Sequence, residues 1–268
     1  MKGMKIAVAG KGGVGKTFVS ATLSRLLARK GYNVLAVDAD PNLNLAYSLG
    51  IDYDVADNIV PLSENADLVK EKTGVAPDEG IGNMFNMNPH VNDVVDRFGI
   101  IAPDNVKLLV MGTVKGGGTG CMCGANALLR VLIQHMLIQR GEILVMDMVA
   151  GLEHIGRGTA RRMDAMLVVI EPRMKSIDTV KRILKMAEEI EVATVLAVGN
   201  KVMRSKDEEF IREKMKELNV PVISIIPYDQ SVADADMEGT PTIDYAPDSE
   251  AVKAVEKLED YLIDRFKP

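Results

Sequence analysis

Short apolar runs alternate with stretches of helical character along most of the chain. The runs are rich in Val, Ile, Leu and Met, and they occupy residues 5–9, 34–37, 107–111, 143–147, 165–170, 194–198 and 222–226. After the first run, Val19, Leu23 and Leu26 follow the spacing of one helix face. This alternation predicts an α/β protein with three layers, in which a mostly parallel, twisted sheet of about seven to eight strands carries helices on both faces.

One region interrupts this rhythm. Residues 52–104 are polar and rich in loops, and short helices are predicted there only near 64–73 and 91–97. We interpret the region as an insertion that lies over the edge of the sheet. Such loop-rich elements often carry function. No repeat or linker divides the chain, so residues 1–268 are predicted to form a single domain.

Composition narrows the possible functions. The net charge of −6 argues against broad electrostatic binding to nucleic acid or to an anionic membrane, although Arg157, Arg161 and Arg162 could form a local basic patch. The last predicted helix, residues 249–266, has mixed charges and not the basic face of a membrane-targeting helix. No apolar run is long enough to span a membrane, and the first strand begins almost at once, without room for a signal peptide. We therefore expect a cytoplasmic protein.

The loop after the first strand fits the pattern G-x-x-x-x-G-K-[ST] without a mismatch. It is formed by Gly10, Lys11, Gly12, Gly13, Val14, Gly15, Lys16 and Thr17, and a helix is predicted to continue through Phe18. Strand, glycine-rich turn and helix together predict a P-loop, in which backbone N–H groups bind phosphate oxygens. Lys16 is expected to reach the β- and γ-phosphates of ATP, and the Thr17 hydroxyl is expected to bind Mg²⁺. The predicted fold class is therefore that of a P-loop nucleoside triphosphatase.

Lys11 distinguishes this loop from an ordinary P-loop. A second cation beside Lys16 would crowd a like charge, so we expect Lys11 to reach a nucleotide bound by another subunit. The loop resembles the deviant Walker A loop of the partition and cell-division ATPases, the nitrogenase iron protein and metal-insertion ATPases. That resemblance implies that Lys11 acts in trans and that ATP holds a homodimer together.

Carboxylates follow two of the predicted strands. Asp38 and Asp40 end the second strand, and Asp147 ends the run 143–147. The carboxyl ends of parallel strands border the ligand site, so these groups should lie near the nucleotide. Asp147 suits the Mg²⁺-binding Walker B position, and one of Asp38 and Asp40 could orient water while the other supports Mg²⁺. The resemblance assigns the attacking water to Asp40.

The loop after Asp147 is predicted to be a nucleotide-dependent switch. Gly151 could let a backbone N–H sense the γ-phosphate, and the loop would relax after hydrolysis. For Glu153 and His154, the sequence does not discriminate a functional role from a solvated pair.

Two later strand ends are predicted to hold the base. Asn200 and Lys201 could read a purine edge, and Met203 stands where a guanine site would want aspartate, which favours ATP over GTP. Pro227 and Asp229 belong to a loop expected to close over the base. The alternative for both stretches is an ordinary turn at the end of a strand.

The two cysteines of the chain, Cys121 and Cys123, form a C-x-C pair among glycines before a long apolar helix. Thiolates near a helix N-terminus have a lowered pKa and bind soft metals. Since soft metals usually take four ligands, two chains could form a four-thiolate site across a two-fold axis. The alternative is a pair of buried, unreactive cysteines.

Taken together, the motifs resemble the CooC-type accessory ATPases of carbon monoxide dehydrogenase. The resemblance covers nearly the whole chain and rests on the P-loop, the glycine-rich C-x-C stretch 116–130, the stretch 147–159 and Asn200-Lys201. It implies ATP and ADP binding with Mg²⁺, a C-x-C site for Ni²⁺ or Zn²⁺ shared between two subunits, and a client that is carbon monoxide dehydrogenase or acetyl-CoA synthase.

Two other classes of protein stay open. An iron–sulfur ATPase like the nitrogenase iron protein is disfavoured, because there the cysteines come from separate loops. A partition or septum-positioning ATPase would leave the C-x-C pair unexplained, and the acidic balance disfavours binding to DNA or to a membrane.

Overall fold

The computed structural model describes residues 3–40, 42–76, 86–112, 124–138, 141–148, 163–189 and 191–268. Eight strands occur in this part of the chain: β1 (Lys5–Gly10), β2 (Val34–Ala39), β3 (Ile100–Ile101), β4 (Lys107–Val110), β5 (Ile143–Met148), β6 (Ala165–Ile170), β7 (Val195–Val202) and β8 (Val222–Pro227). The helices are α1 (Lys16–Arg29), α2 (Leu45–Leu49), α3 (Tyr53–Ala56), α4 (Ala66–Thr73), α5 (Val94–Phe98), α6 (Gly124–Ile138), α7 (Met174–Glu189), α8 (Ser205–Glu217), α9 (Gln230–Met237), α10 (Thr242–Tyr245) and α11 (Glu250–Phe266), and a 3₁₀ turn covers Pro103–Asn105.

The strands form one sheet in the order β3-β4-β2-β5-β1-β6-β7-β8. Every neighbouring pair is parallel except β3 and β4, where Ile100 lies opposite Leu108 in antiparallel register. The predicted mostly parallel sheet and its seven strands are confirmed. The sequence pattern missed β3, because a strand of two residues has no periodicity to detect.

Both faces of the sheet are covered by helices. Along β1, Ile6 and Val8 pack into one core with α1 and α11, while Ala7 and Ala9 pack into the other core with α6 and α7. Side chains of a strand point alternately to its two faces, so a central strand buried on both sides is apolar at every position. This explains why the predicted strands appear as continuous apolar runs.

Residues 52–104 contain more regular structure than predicted. The helices expected near 64–73 and 91–97 correspond to α4 and α5, whereas α3 and the 3₁₀ turn were not predicted. Helix α4 begins after Asn65, whose side-chain oxygen accepts a hydrogen bond from the Leu68 N–H at 2.9 Å.

A buried arginine ties the insertion to α1. The Arg25 side chain is 4% exposed and pairs with Asp104 of the 3₁₀ turn at 2.6 Å and with Asp244 of α10. Arg29 pairs with the same two carboxylates, at 2.9 and 3.1 Å. Two arginines one turn apart on α1 thus hold two distant segments, which shapes one wall of the cleft described below.

In the described part of the chain, no helix combines the length and the apolar character needed to cross a membrane.

Candidate nucleotide-binding site

The predicted P-loop joins β1 to α1 at the carboxyl end of the sheet. Gly13 and Gly15 adopt positive φ angles of 81° and 92°. A side chain at Gly15 would also place its Cβ only 2.3 Å from the Asn200 amide nitrogen. Helix α1 begins at Lys16 without a side-chain cap, so the N–H groups of its first turn are available to an anion. The loop therefore has the backbone geometry of a phosphate cradle.

Lys16 and Asp40 form a buried ion pair in front of this cradle. The Lys16 ammonium lies 3.5 Å from an Asp40 carboxylate oxygen, and the two residues are 5% and 7% exposed. Asp40 also accepts a hydrogen bond from the Asn42 N–H at 2.9 Å. The pair places one carboxylate and one ammonium next to each other at the position expected for the γ-phosphate.

Asp38 is completely buried beneath the loop that follows β2. Its carboxylate accepts hydrogen bonds from the N–H groups of Asp40, at 3.1 Å, and Leu45, at 3.0 Å. Burial, together with the neighbouring Asp147 and Asp40 charges, raises its pKa to about 7, although the two backbone hydrogen bonds act in the opposite direction. Asp38 thus organises the loop that carries Asp40, and this role fits its fixed position better than direct contact with water.

Asp147 lies beside Asp38, since the two residues are paired in the register of β2 and β5. It is 1% exposed, and neither carboxylate oxygen has a hydrogen-bond partner among the described residues. Burial raises the pKa of Asp147 to about 6, while the Thr17 hydroxyl and the Lys16 charge act in the opposite direction. A buried carboxylate without partners next to a hydroxyl is a donor set that suits Mg²⁺.

Magnesium at this position would need further ligands. Within the described ranges, no group of three or more His, Cys, Asp or Glu side chains is arranged to hold a metal ion. Mg²⁺ typically takes one or two protein oxygens and completes its shell with phosphate oxygens and water. Thr17 and Asp147 therefore fit a magnesium ion that enters with the nucleotide.

Asn200 and Lys201 contact the P-loop itself. The Asn200 amide donates to the Val14 carbonyl at 2.7 Å, and the Lys201 ammonium donates to the Gly13 carbonyl at 2.7 Å. Lys201 also pairs with Glu171 at 3.0 Å. Two consecutive carbonyls of the loop are held from the end of β7, so these residues position the phosphate cradle. Their predicted contact with the base stays a prediction.

We expect Asn200→Ala to loosen the cradle more than Lys201→Ala does. Asn200 is 5% exposed, so its replacement leaves the Val14 carbonyl without this hydrogen bond in a buried position, at a cost of about 1–3 kcal/mol. The Lys201 side chain is 45% exposed, so its replacement costs less. Affinity for ADP, measured by titration calorimetry, should fall roughly tenfold for Asn200→Ala and only a few-fold for Lys201→Ala. Equal losses for the two variants would show that burial of the contact does not matter.

A cleft of about 1000 Å³ opens from the P-loop along the outer side of α1. Its lining includes the predicted residues Gly15, Thr17, Phe18, Asn200, Lys201, Pro227 and Asp229. Met203 lies at its rim and is 67% exposed. The P-loop and the predicted base-binding strand ends thus border one continuous space, which is of a size that suits a nucleotide.

Asp229 has a structural role at this cleft. Its carboxylate caps α9 by accepting from the Ser231 N–H at 3.0 Å, and it accepts from the Ala251 N–H at the start of α11 at 3.3 Å. The hydrogen bonds from Ser231 hold the pKa of Asp229 below its ordinary value. The aspartate therefore fixes the loop that carries Pro227, and a base contact by Asp229 remains a prediction.

The sequence analysis did not identify every cleft residue, and among those that it missed are Tyr47, Tyr53 and Glu171. Glu171 directly follows β6, so the rule that strand ends border the ligand site would have found it. The two tyrosine rings lie 4.9 Å apart and come from α2 and α3. No sequence signal marked them, because both helices were missed.

Lys11 is exposed and forms no ion pair within the part of the chain that the structure describes. Several predicted residues lie outside the described residues: Cys121, Cys123, Gly151, Glu153, His154, Arg157, Arg161 and Arg162. The apolar helix predicted to follow the cysteines is α6.

Comparison with known proteins supports the nucleotide site. Residues 5–243 match the CobQ/CobB/MinD/ParA nucleotide-binding domain. An uncharacterized ATP-binding protein of Methanocaldococcus jannaschii is 43% identical over 97% of this chain and 98% of its own length. The carbon monoxide dehydrogenase accessory protein CooC of Rhodospirillum rubrum is 38% identical over 91% of both chains. The cell-division ATPase MinD of Pyrococcus furiosus has a similar structure, with a TM-score of 0.66 and 25% identity over 98% of this chain and 99% of that chain.

The chain belongs to the CobQ/CobB/MinD/ParA family of nucleotide-binding P-loop ATPases. Within this family, its sequence is of the CooC type, that of an accessory ATPase.

Proposed function

We propose that the protein uses ATP to help insert nickel into the Ni–Fe–S centre of carbon monoxide dehydrogenase or of a related enzyme such as acetyl-CoA synthase. The observation that carries the proposal is the 38% identity to a carbon monoxide dehydrogenase accessory protein over 91% of both chains. The C-x-C pair supports it, because thiolates are suitable ligands for the metal that would be delivered.

The ATPase part of the proposal rests on the buried groups around the P-loop. ATP would place its phosphates on the free N–H groups of α1, with Lys16 on the β- and γ-phosphates. Thr17 and Asp147 would hold Mg²⁺, which supplies charge neutralisation on the phosphate oxygens. Asp40 would orient water beside the γ-phosphate, and the 3.5 Å distance between its carboxylate and the Lys16 ammonium supports this role.

The proposed hydrolytic step uses these groups, Lys11 of a facing subunit and water. Oxygen of the oriented water bonds to the γ-phosphorus, and the bond from that phosphorus to the β–γ bridging oxygen breaks. The products are ADP and inorganic phosphate, and the proton of the attacking water ends on phosphate or in solvent. Asp40 positions the water, while Lys16 offsets the negative charge on the oxygens.

The metal-binding part of the proposal requires two subunits. Lys11 is exposed at the P-loop, where an ammonium on a long side chain can reach the nucleotide of a facing copy. Each chain has only two cysteines, so four thiolates around one metal ion require a homodimer. ATP binding would bring the two C-x-C pairs together, and hydrolysis would separate them and release the metal to the client.

Metal stoichiometry tests the proposal. We expect about one Ni²⁺ or Zn²⁺ per dimer, measured by metal analysis of fractions sized in the presence of ATP, and none in Cys121→Ser/Cys123→Ser. ATP hydrolysis should continue in the double variant, because none of the groups proposed to bind the phosphates or Mg²⁺ is a cysteine. Metal retention by the double variant, or no metal in the wild type, would contradict nickel delivery.

The fold itself allows a second candidate. MinD and plasmid partition proteins align with nearly the whole chain at TM-scores between 0.63 and 0.69. A metal-free protein that binds DNA or lipid vesicles only with ATP would favour a partition or septum-positioning ATPase. A brown protein with iron and sulfide would instead favour an iron–sulfur ATPase.

A further inference from the structure

Ser20 on α1 carries a buried hydroxyl that makes no hydrogen bond to the described residues. The residue is 0% exposed, and within the described ranges its oxygen has no hydrogen-bond partner. A serine inside a helix commonly donates to the carbonyl four residues before it. Ser24 does so at 2.7 Å, as do Thr73 at 2.7 Å and Thr179 at 3.1 Å. Ser20 alone among these four keeps its hydroxyl free for another acceptor.

The candidate acceptor is Asp147, which lies on β5, a strand against which α1 packs. The two residues approach closely enough for the Ser20 hydroxyl to lower the pKa of Asp147, although burial still raises it overall. Ser20 is three positions after Thr17 and four after Lys16, so all three project from the same face of α1. Asp147 therefore faces two hydroxyls from neighbouring turns of one helix, while both of its buried oxygens are without hydrogen-bond partners among the residues that the structure describes.

We propose that Ser20 is a positioning residue, which donates a hydrogen bond to one oxygen of Asp147 and directs the other oxygen toward Thr17. The inference rests on the proposed role of Asp147 in the magnesium–nucleotide site. The carboxylate of an aspartate can rotate about its Cβ–Cγ bond. A hydrogen-bond donor fixed beside one of its oxygens selects one orientation. Removal of a group that hydrogen-bonds to a metal ligand and orients it commonly lowers metal affinity by about 10–100-fold.

A purely structural Ser20 would behave differently. A buried hydroxyl without a partner is costly, so its replacement by alanine would be neutral or stabilising and would leave the affinity for Mg²⁺ unchanged. Magnesium affinity is therefore the property that separates the two roles.

The test compares Ser20→Ala with Ser24→Ala, a buried serine one turn further along the same helix. Mg²⁺ is titrated into each protein loaded with ADP, and ADP binding is also measured in the presence of EDTA. We expect Ser20→Ala to bind Mg²⁺ about 10–100-fold more weakly with ADP affinity in EDTA unchanged, and Ser20→Thr to restore the affinity. Ser24→Ala should stay within about twofold of the wild type, because its hydroxyl already binds a carbonyl of the helix.

Wild-type Mg²⁺ affinity in folded Ser20→Ala would overturn the inference, and thermal denaturation establishes that the variant is folded. Asp147→Asn is titrated in parallel. If Asp147→Asn loses Mg²⁺ affinity while Ser20→Ala does not, only the role of Ser20 is wrong. If Asp147→Asn keeps its Mg²⁺ affinity, the proposed magnesium site itself is wrong.

Discussion

Replacing Asp147 with asparagine should stabilise the nucleotide-free protein above pH 6 and, at the same time, abolish most of its magnesium-dependent ATP hydrolysis. Burial raises the pKa of Asp147 from the ordinary 3.8 to about 6. Between these two pH values, the folded protein retains a proton that the unfolded chain has lost, so the contribution of Asp147 to stability falls as pH rises. Above pH 6 the folded protein carries the full cost of a buried charge, roughly 3 kcal/mol.

Asparagine carries no charge at any of these pH values. Asp147→Asn should therefore exceed the wild type in unfolding free energy by up to about 3 kcal/mol at pH 8, and the difference should shrink to near zero below pH 4. Urea denaturation in EDTA at pH 4, 6 and 8 measures this difference in unfolding free energy. A difference that does not change with pH would show that the carboxyl is not desolvated as the structure indicates.

The same substitution, Asp147→Asn, should lower ATP hydrolysis although it raises stability. Without the carboxylate, the site loses one of its two proposed protein ligands for Mg²⁺, and we expect ATP hydrolysis to fall by about 10²–10³-fold. Asp178→Asn, which removes an exposed carboxylate on α7, should leave hydrolysis unchanged. Full activity in Asp147→Asn would contradict the Walker B assignment. The pair of measurements also separates a functional loss from unfolding, because the inactive variant is expected to be the more stable protein.

Lys11→Ala should reduce ATP hydrolysis by about 10³-fold or more while each subunit still binds nucleotide. A cation supplied in trans to phosphoryl groups contributes on this scale in related chemistry. Lys16 and the free N–H groups of α1 remain in the variant, so ADP binding to the monomer should persist. The proposed ATP-dependent dimer should be absent from a sizing column, whereas Lys257→Ala, which removes an exposed lysine on α11, should behave like the wild type.

Mixing two inactive variants tests the trans arrangement directly. In a mixed dimer, the Lys11→Ala subunit keeps Asp40 and receives Lys11 from an Asp40→Asn subunit. Each mixed dimer would carry one complete active site out of two, so the mixture should hydrolyse ATP well above the rate of either variant alone. No recovery would mean that Lys11 acts within its own subunit or that no such dimer forms.

Several features were readable from the sequence because they depend on neighbouring residues. The seven longer strands of the sheet are continuous apolar runs, since strands covered on both faces are buried at every position. The P-loop is equally local: glycines supply the backbone angles, and the start of α1 supplies the N–H groups. Asp38 and Asp147 were predicted as site residues because each follows a strand at the carboxyl edge.

The tertiary structure decided what these residues contact. Asp38 and Asp147 become neighbours only because β2 and β5 are adjacent in the sheet order. The burial of the two carboxyl groups in the fold raises the pKa of both. Arg25 finds its partners on two segments far along the chain.

Asn200 and Lys201 show the same limit, since their residue types suit a base contact and only the packing of β7 against the loop directs them to P-loop carbonyls. Short-range pattern specifies where strands, helices and turns begin, because it reflects backbone geometry and burial. The partner of a polar side chain depends on which distant segment packs beside it, and local spacing carries no information about that choice.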